Sequence, residues 1–524
     1  MRTRFYLTAL LLRVVVGCQS DTDDGVELGS VLTDTHSDES VSPSSDLTEH
    51  GVDADMGYSQ SPECKPISPV VRETARLTVF PQSATLRDIH GRDVVFRGIN
   101  AGGRSKWSPF VPFMIEPNED LVTFRRKARA YFSLLPYWGL DSVRLVFSWE
   151  AFEPKPLEID EVYLDRYVAM IDSAWEHGVS VIVDIHQDIY SSPFCGDGFP
   201  PWTLPPQQQG PPQHDCRRWF MKYLFDADVR AAFDRFWSDE TGVRTAFARM
   251  WTQLATRVGG HPGVLAFEIL NEPGWGTNND VEAFKATVLR QFYEEITDVL
   301  RKVEPDILVI YGGVGMDAVN PSAGHYPPAR DNVMYGPHVY DAGLLAGGAW
   351  TGGEPAEMLS SLSAFQMSTH IPVMIGEFGV TDKAPGADKW LELMMDGIDT
   401  HRFSATLWEY SHNEELWNHE DLSVVDADGT ERIVLDTYVR PWLRAVSGKL
   451  PRFSWSTEHG GTASWIADGG VTEIVFPPRL FPSGPQQLRI SGEGVCHTWD
   501  PQRPELRVTA LPDTLVTVHF HSIP

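Results

Sequence analysis

Positive charge is what this chain lacks most. Its 43 lysines and arginines face 72 aspartates and glutamates, giving a formal net charge of −29 over 524 residues. That balance excludes nucleic acid, or an anionic membrane surface, as the main partner, because both demand a basic patch. There is no P-loop and no HExxH, and Gly312-Gly313-Val314-Gly315 lacks the spacing of a dinucleotide fingerprint. No cofactor and no resident metal are implied. Beyond the amino terminus no run of about 20 apolar residues occurs, so nothing is expected to span a bilayer. Cysteine is scarce, with five in the whole chain.

The amino terminus has the pattern of an export signal over residues 1–18. Arg2 and Arg4 precede the apolar stretch Phe5 to Leu12, and Val15-Val16-Gly17-Cys18 resembles a bacterial lipobox that would lipidate Cys18. Arg13 interrupts the apolar region, which leaves an irregular start as the alternative. From Gln19 to Glu63 there is no Lys or Arg but much Asp, Glu, Ser and Thr. Such a segment buries too little apolar surface to offset its ordering entropy, so residues 19–70 are expected to be a disordered acidic tether. A secreted or cell-envelope monomer, peripheral to or anchored on a membrane through Cys18, is the resulting expectation. Cys195 and Cys216 share one Pro-rich loop, either bridged, as an exported protein allows, or two unrelated thiols.

Residues 71–447 alternate strand-like and helical patterns. Strand candidates are Val94 to Ile99, Ser142 to Phe147, Val179 to Ile185, Val264 to Leu270, Ile307 to Tyr311, Val333 to Val339, Pro372 to Phe378 and Phe403 to Trp408. Helical stretches include Leu121 to Leu135, Val162 to His177, Val281 to Val303 and Ala387 to Ile398, with a closing helix near Val434 to Val446. Eight such units predict an α/β fold, a (β/α)8 TIM barrel, whose active site sits at the carboxyl ends of the strands. Leu77 to Asp93 reads as a hairpin with its turn at His90-Gly91. Residues 448–524 carry only short β-like runs between Pro and Gly, which predicts a small β-sandwich. The loop from Ile189 to about Asp228 is too long for an ordinary connection. Its Phe194, Phe199, Trp202, Trp219 and Phe220 form either an exposed greasy lid or a cover packed on its own side chains.

Two segments carry the chemistry, Leu270-Asn271-Glu272-Pro273 and Ile375-Gly376-Glu377-Phe378-Gly379. Each puts a glutamate at the end of an apolar strand, the fourth and the seventh by this count. Two carboxylates delivered into one cleft are what glycosidic cleavage needs, one to protonate the leaving oxygen and one to attack the anomeric carbon. The cluster His412, Glu414, Glu415, His419, Glu420, Asp421 has metal-like residue types. Its polar residues are too contiguous to face one point, and it reads as a solvated loop on the leaving-group side.

The ordered set Val95-Phe96-Arg97-Gly98-Ile99-Asn100, Arg144, Asn271-Glu272-Pro273, His338-Val339-Tyr340, Glu377 and Trp408 resembles that of family 5 glycoside hydrolases. Ser105-Lys106, the run from Asp184 to Ser191, and Ala232 to Trp237 make the endoglycoceramidases the most similar members. The likeness covers roughly residues 76 to 524. It implies Glu272 as general acid/base and Glu377 as nucleophile of a retaining hydrolase cutting between glycan and ceramide of glycosphingolipids. Arg144 and Tyr340 would then hold the Glu377 carboxylate, and His338 would contact Glu272. Asn271 would bind the sugar 2-hydroxyl, Trp408 would lie under the sugar, and His186, Asp188 and Lys106 would bind its hydroxyls. The Cys195–Cys216 loop and Trp408-Glu409-Tyr410 depart from the best-known ceramidase pattern. A polysaccharide-cutting glucanase or mannanase of the same family, and a non-catalytic glycolipid-binding surface protein, are the competing expectations.

Overall fold

The computed structural model describes residues 64–213, 216, 218–321, 325–353, 355–412 and 421–521. The expected leader with Cys18, the tether up to Glu63, and Glu414, Glu415, His419 and Glu420 of the polar cluster lie outside the described residues.

Three short strands, β1 (Thr78–Phe80), β2 (Thr85–Arg87) and β3 (Asp93–Val94), open the fold. They lead into β4 (Arg97–Ala101), β5 (Ser142–Phe147), β6 (Ser180–Ile185), β7 (Val264–Glu268), β8 (Leu308–Tyr311), β9 (Val333–Tyr335), β10 (Met374–Ile375) and β11 (Ser404–Leu407). The last eight pair in parallel in the order β10-β11-β4-β5-β6-β7-β8-β9. Parallel bridges Tyr335–Val373 and His338–Glu377 join the two ends and close the barrel. Every residue of β5 and β6 is buried, as strands covered on both faces must be, which explains why apolar residues dominate them apart from a first serine and the site residues Arg144 and Asp184. Ile182, Ala266, Leu308, Ile310, Met334 and Met374 fill the interior, while Val309, Tyr311, Val333 and Tyr335 face the helical layer.

Helices start where a side chain caps them. Asp120 accepts from the Thr123 amide at 2.8 Å at the head of Leu121–Phe132, and Asp160 accepts from Tyr163 at 3.0 Å at the head of Glu161–Glu176. The expected closing helix at 434–446 is only partly present. It stops at Tyr438, because Pro441 cannot continue it, and Trp442–Val446 is instead strand β12. The expected hairpin at 77–93 is a three-stranded meander, with one turn at Pro81–Ala84 and a second at 88–92 around Gly91, whose φ is 76°.

After β12 come β13 (Gly448–Ser456), β14 (Gly460–Ala467), β15 (Thr472–Val475), β16 (Gln486–Ser491), β17 (Cys496–Asp500), β18 (Glu505–Thr509) and β19 (Leu515–His521). They form two antiparallel sheets, β13-β14-β19-β16 and β1-β2-β3-β12-β15-β18-β17. Phe453, Trp465, Ile474, Phe476, Leu506, Val516 and Phe520 make the core between them. The meander near the amino terminus is thus built into the carboxyl-terminal layer, with Asp93 opposite Val446. Within the seven-stranded sheet, Arg444 of β12 ties β15 and β18 by ion pairs to Glu473 at 2.8 Å and Glu505 at 2.6 Å. A disulfide links Cys64 to Cys496, 432 residues apart. Replacing both cysteines with serine should lower stability by about 2–4 kcal/mol, read as a lower urea midpoint, with a steeper transition because the released unfolded chain exposes more surface.

Candidate active site

Arg144 is the hub. It stands on the second barrel strand with its side chain fully buried. Its Nε and Nη2 grip the two oxygens of Glu268 at 2.6 and 2.8 Å. Its Nη1 donates to Glu377 Oε1 at 2.6 Å and to Asn100 Oδ1 at 2.9 Å. Nη2 also reaches Asn271 Oδ1 at 2.9 Å and Asp184 Oδ1 at 3.0 Å. Burial opposes the guanidinium charge, but Asp184, Glu268 and Glu377 outweigh it and raise the pKa well above the usual arginine value. The Glu377 carboxylate thus has one oxygen on Arg144; the other accepts from the Tyr340 hydroxyl at 3.0 Å.

Glu272 follows β7 in a left-handed backbone conformation, φ 38°, which costs a non-glycine residue of order 1–3 kcal/mol. A clamp holds this turn. Gln187 Nε2 donates to the carbonyls of Asn271 at 2.8 Å and Glu272 at 2.7 Å, and the Tyr223 hydroxyl donates to the latter at 3.0 Å. Glu272 Oε1 meets His338 Nδ1 at 2.7 Å. Burial raises the Glu272 pKa, with the Glu377 and Asp188 charges adding to it and His338 opposing. For His338, burial opposes the cation, yet the Glu377 charge and the Glu272 hydrogen bond raise its pKa overall.

One atom each from Glu272, His338 and Glu377 lie within 4.8 Å of one another. Among the described residues this is the one group of acid and imidazole donors close enough to hold an ion. Their hydrogen bonds to one another, to Arg144 and to Tyr340 fit a proton-sharing network as well. A carboxylate approach this close matches the retaining separation of about 5–5.5 Å and not the inverting one of about 6.5–9.5 Å.

The remaining sequence-selected residues line one wall. His186 Nδ1 contacts Asp184 at 2.7 Å, its Nε2 lies 3.6 Å from Asp188, and Lys106 Nζ pairs with Asp188. Burial opposes charge on His186, but Asp184 and Asp188 raise its pKa to about 10. Trp408 is 3% exposed, its ring stacked on His186 at 5.4 Å with the Lys106 ammonium 4.4 Å from its centroid. It is a mostly covered floor. The exposed aromatic lid is not found. Phe194, Phe199 and Trp219 are buried and Trp202 and Phe220 half-buried; Phe199 packs on Tyr190 of the same loop but also on Trp149, Phe236 and Phe247 of neighbouring helices, so the loop is a cover packed against the barrel's helical layer. Its ends are tied by a Cys195–Cys216 disulfide.

Sequence reasoning missed Glu268, Gln187 and Tyr223 as site residues. Glu268 was legible as the one acid inside the apolar run Val264 to Leu270; Tyr223 carries no local signal. Missed too was Asp197, bridged by backbone to Asp188 and buried. Burial and the Asp188 charge hold its carboxyl well above the usual range.

A (β/α)8 barrel with two close carboxylates at its carboxyl-terminal mouth, one held by arginine and one with its pKa raised by burial, has the frame of a glycoside hydrolase. The chain belongs to that class's family 5: the model described as Cellulase (glycosyl hydrolase family 5) matches residues 104–414. It is similar to endoglycoceramidase I of Rhodococcus hoagii, 28% identical over 277 residues, 50% of this chain and 53% of the relative. An endoglycoceramidase of Hydra vulgaris is 26% identical over 271 residues, 46% and 50% of the two chains. The chain thus spans about half the length of these curated relatives. The solved structure of endo-glycoceramidase II from Rhodococcus sp. superposes with a TM-score of 0.66 at 26% identity, covering 84% of this chain and 100% of that one. That protein has also been solved as a ganglioside GM3 complex and a lactosyl-enzyme intermediate.

Removing one partner of a buried ion network strands the others. Arg144→Met should destabilise the fold by about 3–5 kcal/mol, measured by urea unfolding at neutral pH. His186 supplies a pH signature. Its folded pKa is raised, so the stability it contributes is complete below pH 6.5 and is lost as pH rises through about 10. Urea midpoints of wild type should therefore fall across that window more steeply than those of His186→Asn.

Proposed function

We propose that this protein is a retaining endo-glycosidase that releases the intact glycan of a glycosphingolipid by cutting its linkage to ceramide. The observation that carries the reading is the approach of Glu272 and Glu377 to within 4.8 Å at the barrel mouth. In the first step a Glu377 oxygen attacks the anomeric carbon while Glu272 gives its proton to the departing ceramide oxygen. Glu272, now ionised, then takes a proton from water as that water displaces Glu377. Arg144 and Tyr340 aim Glu377 into the cleft, and burial raises the Glu272 pKa, as a proton donor requires. Asn271, steered by Arg144, faces the sugar 2-hydroxyl; His186, Asp188 and Lys106 take other hydroxyls. The relatives' names and the ganglioside complex of the Rhodococcus protein support a glycolipid substrate over a polysaccharide.

Export to a cell envelope, with Cys18 as a lipid anchor, belongs to the same reading. Its support is the leader pattern and two disulfides of the sort that persist outside a reducing cytosol.

Incubation with a ganglioside, a galactosylceramide and carboxymethylcellulose should yield free oligosaccharide and ceramide from glycolipid alone. Cleavage of carboxymethylcellulose with glycolipid untouched would transfer the reading to a glucanase. Glu377→Gln should lose at least three orders of magnitude of turnover, in line with the loss of a catalytic nucleophile, while still binding glycolipid. Binding by both proteins with turnover by neither would identify a glycolipid-binding surface protein instead.

A further inference from the structure

The barrel wall has a gap beside Glu272. At the carboxyl ends of β8 and β9 the chain runs through Gly312, Gly313 and Gly336, so no side chain separates the strand ends there. Two small cavities flank this gap. The inner one is walled by Glu268, Glu272, His338 and Tyr335; the outer one by Tyr311, Tyr335, Lys285 and His325, and the two share Gly312, Gly313 and Tyr335. Each has room for water and for nothing larger. A methyl group placed on Gly312 would make only one contact, an ordinary one with the Gly336 carbonyl at 3.7 Å, so a side chain fits there without a clash.

The outer cavity is lined by polar atoms that ask for water. The Tyr311 and Tyr335 hydroxyls and His325 Nε2 are buried and have no hydrogen-bond partner among the described residues. Their rings are otherwise well packed, Tyr311 on Tyr335 at 5.3 Å and Tyr335 on His325 at 4.6 Å. Burial of three partnerless polar groups around one void is unfavourable unless water fills it. Burial and Lys285 lower the His325 pKa to about 4, so this imidazole is neutral near pH 7 and can pair with a neutral water.

We propose that this glycine-walled passage is a water port, bringing the hydrolytic water to the Glu272 side of the site by a route other than the barrel mouth. The inference rests on the retaining reading above. Each turnover consumes one water: its oxygen bonds to the anomeric carbon, the bond to Glu377 breaks with its electron pair, and its proton passes to Glu272. The glycosyl-enzyme forms without that water and breaks down only with it, so the port acts on the second step alone.

The test uses Gly312→Val, which fills the passage, and Tyr335→Phe, which removes one of the hydroxyls that would hold water, each checked for wild-type melting. With an activated aryl β-glycoside, the rapid first release of the aryl group should be as in wild type. The steady rate should drop several-fold in Gly312→Val, with glycosyl-enzyme accumulating by intact-protein mass. Added methanol, small enough to enter by the mouth, should divert several-fold more product to methyl glycoside than in wild type. A crystal structure of the full chain should show ordered water on Tyr311, Tyr335 and His325. Dry cavities, or unchanged steady rate and methanol partitioning in a folded Gly312→Val, overturn the port. Product released by wild type with inverted anomeric configuration overturns the retaining reading itself, and the port with it.

Discussion

One guanidinium organises the centre of this molecule. Arg144 is fully buried and touches Glu268, Glu377, Asp184, Asn100 and Asn271, which come from four other barrel strands or their immediate ends. A lone buried cation would be very unfavourable, and so would three buried acids. Placed together at 2.6 to 3.0 Å they satisfy one another and fix the relative heights of the strand ends. The planar fork of arginine permits this, because two of its edges serve different carboxylates at once. Glu377 inherits its aim from that arrangement, and Asn271 and the turn at Glu272 inherit theirs.

The two glutamates live under different electrostatic regimes although their oxygens nearly meet. Glu377 faces a permanent cation and a phenol donor, while Glu272 faces burial, a neighbouring anion and an imidazole. Further along the same wall, Lys106, Asp188 and His186 repeat the alternation of signs, which lets polar groups be buried yet remain ready to hydrogen-bond hydroxyls.

Much of this was legible in the residues. The barrel strands announce themselves as apolar runs, and the helices by their period and their aspartate caps, because both signals are local. Glu272 and Glu377 stand out because a carboxylate at the end of a buried strand needs a reason. What escaped was non-local. Nothing near Trp442 to Val446 says that this stretch will pair with Asp93–Val94, nearly 350 residues earlier, and a short apolar stretch suits helix as well as strand. Tyr223 clamps the Glu272 turn from a loop whose path only the assembled barrel defines. The aromatic loop was ambiguous for a related reason: composition is the same whether rings face solvent or one another, and only Trp149, Phe236 and Phe247, on other elements, decide it.

The seven-stranded sheet has a consequence for biosynthesis. Its strands β1 to β3 leave the ribosome early, but the edge of β3 is completed by β12, and the sheet beyond that by β15, β18 and β17. Until the last fifth of the polypeptide emerges, the nascent barrel carries an unsatisfied strand margin at its base, open to mispairing with any extended segment. Closure of this sheet therefore waits on the segment beyond Pro441, and a chain lacking that segment would keep an open strand edge beside β3.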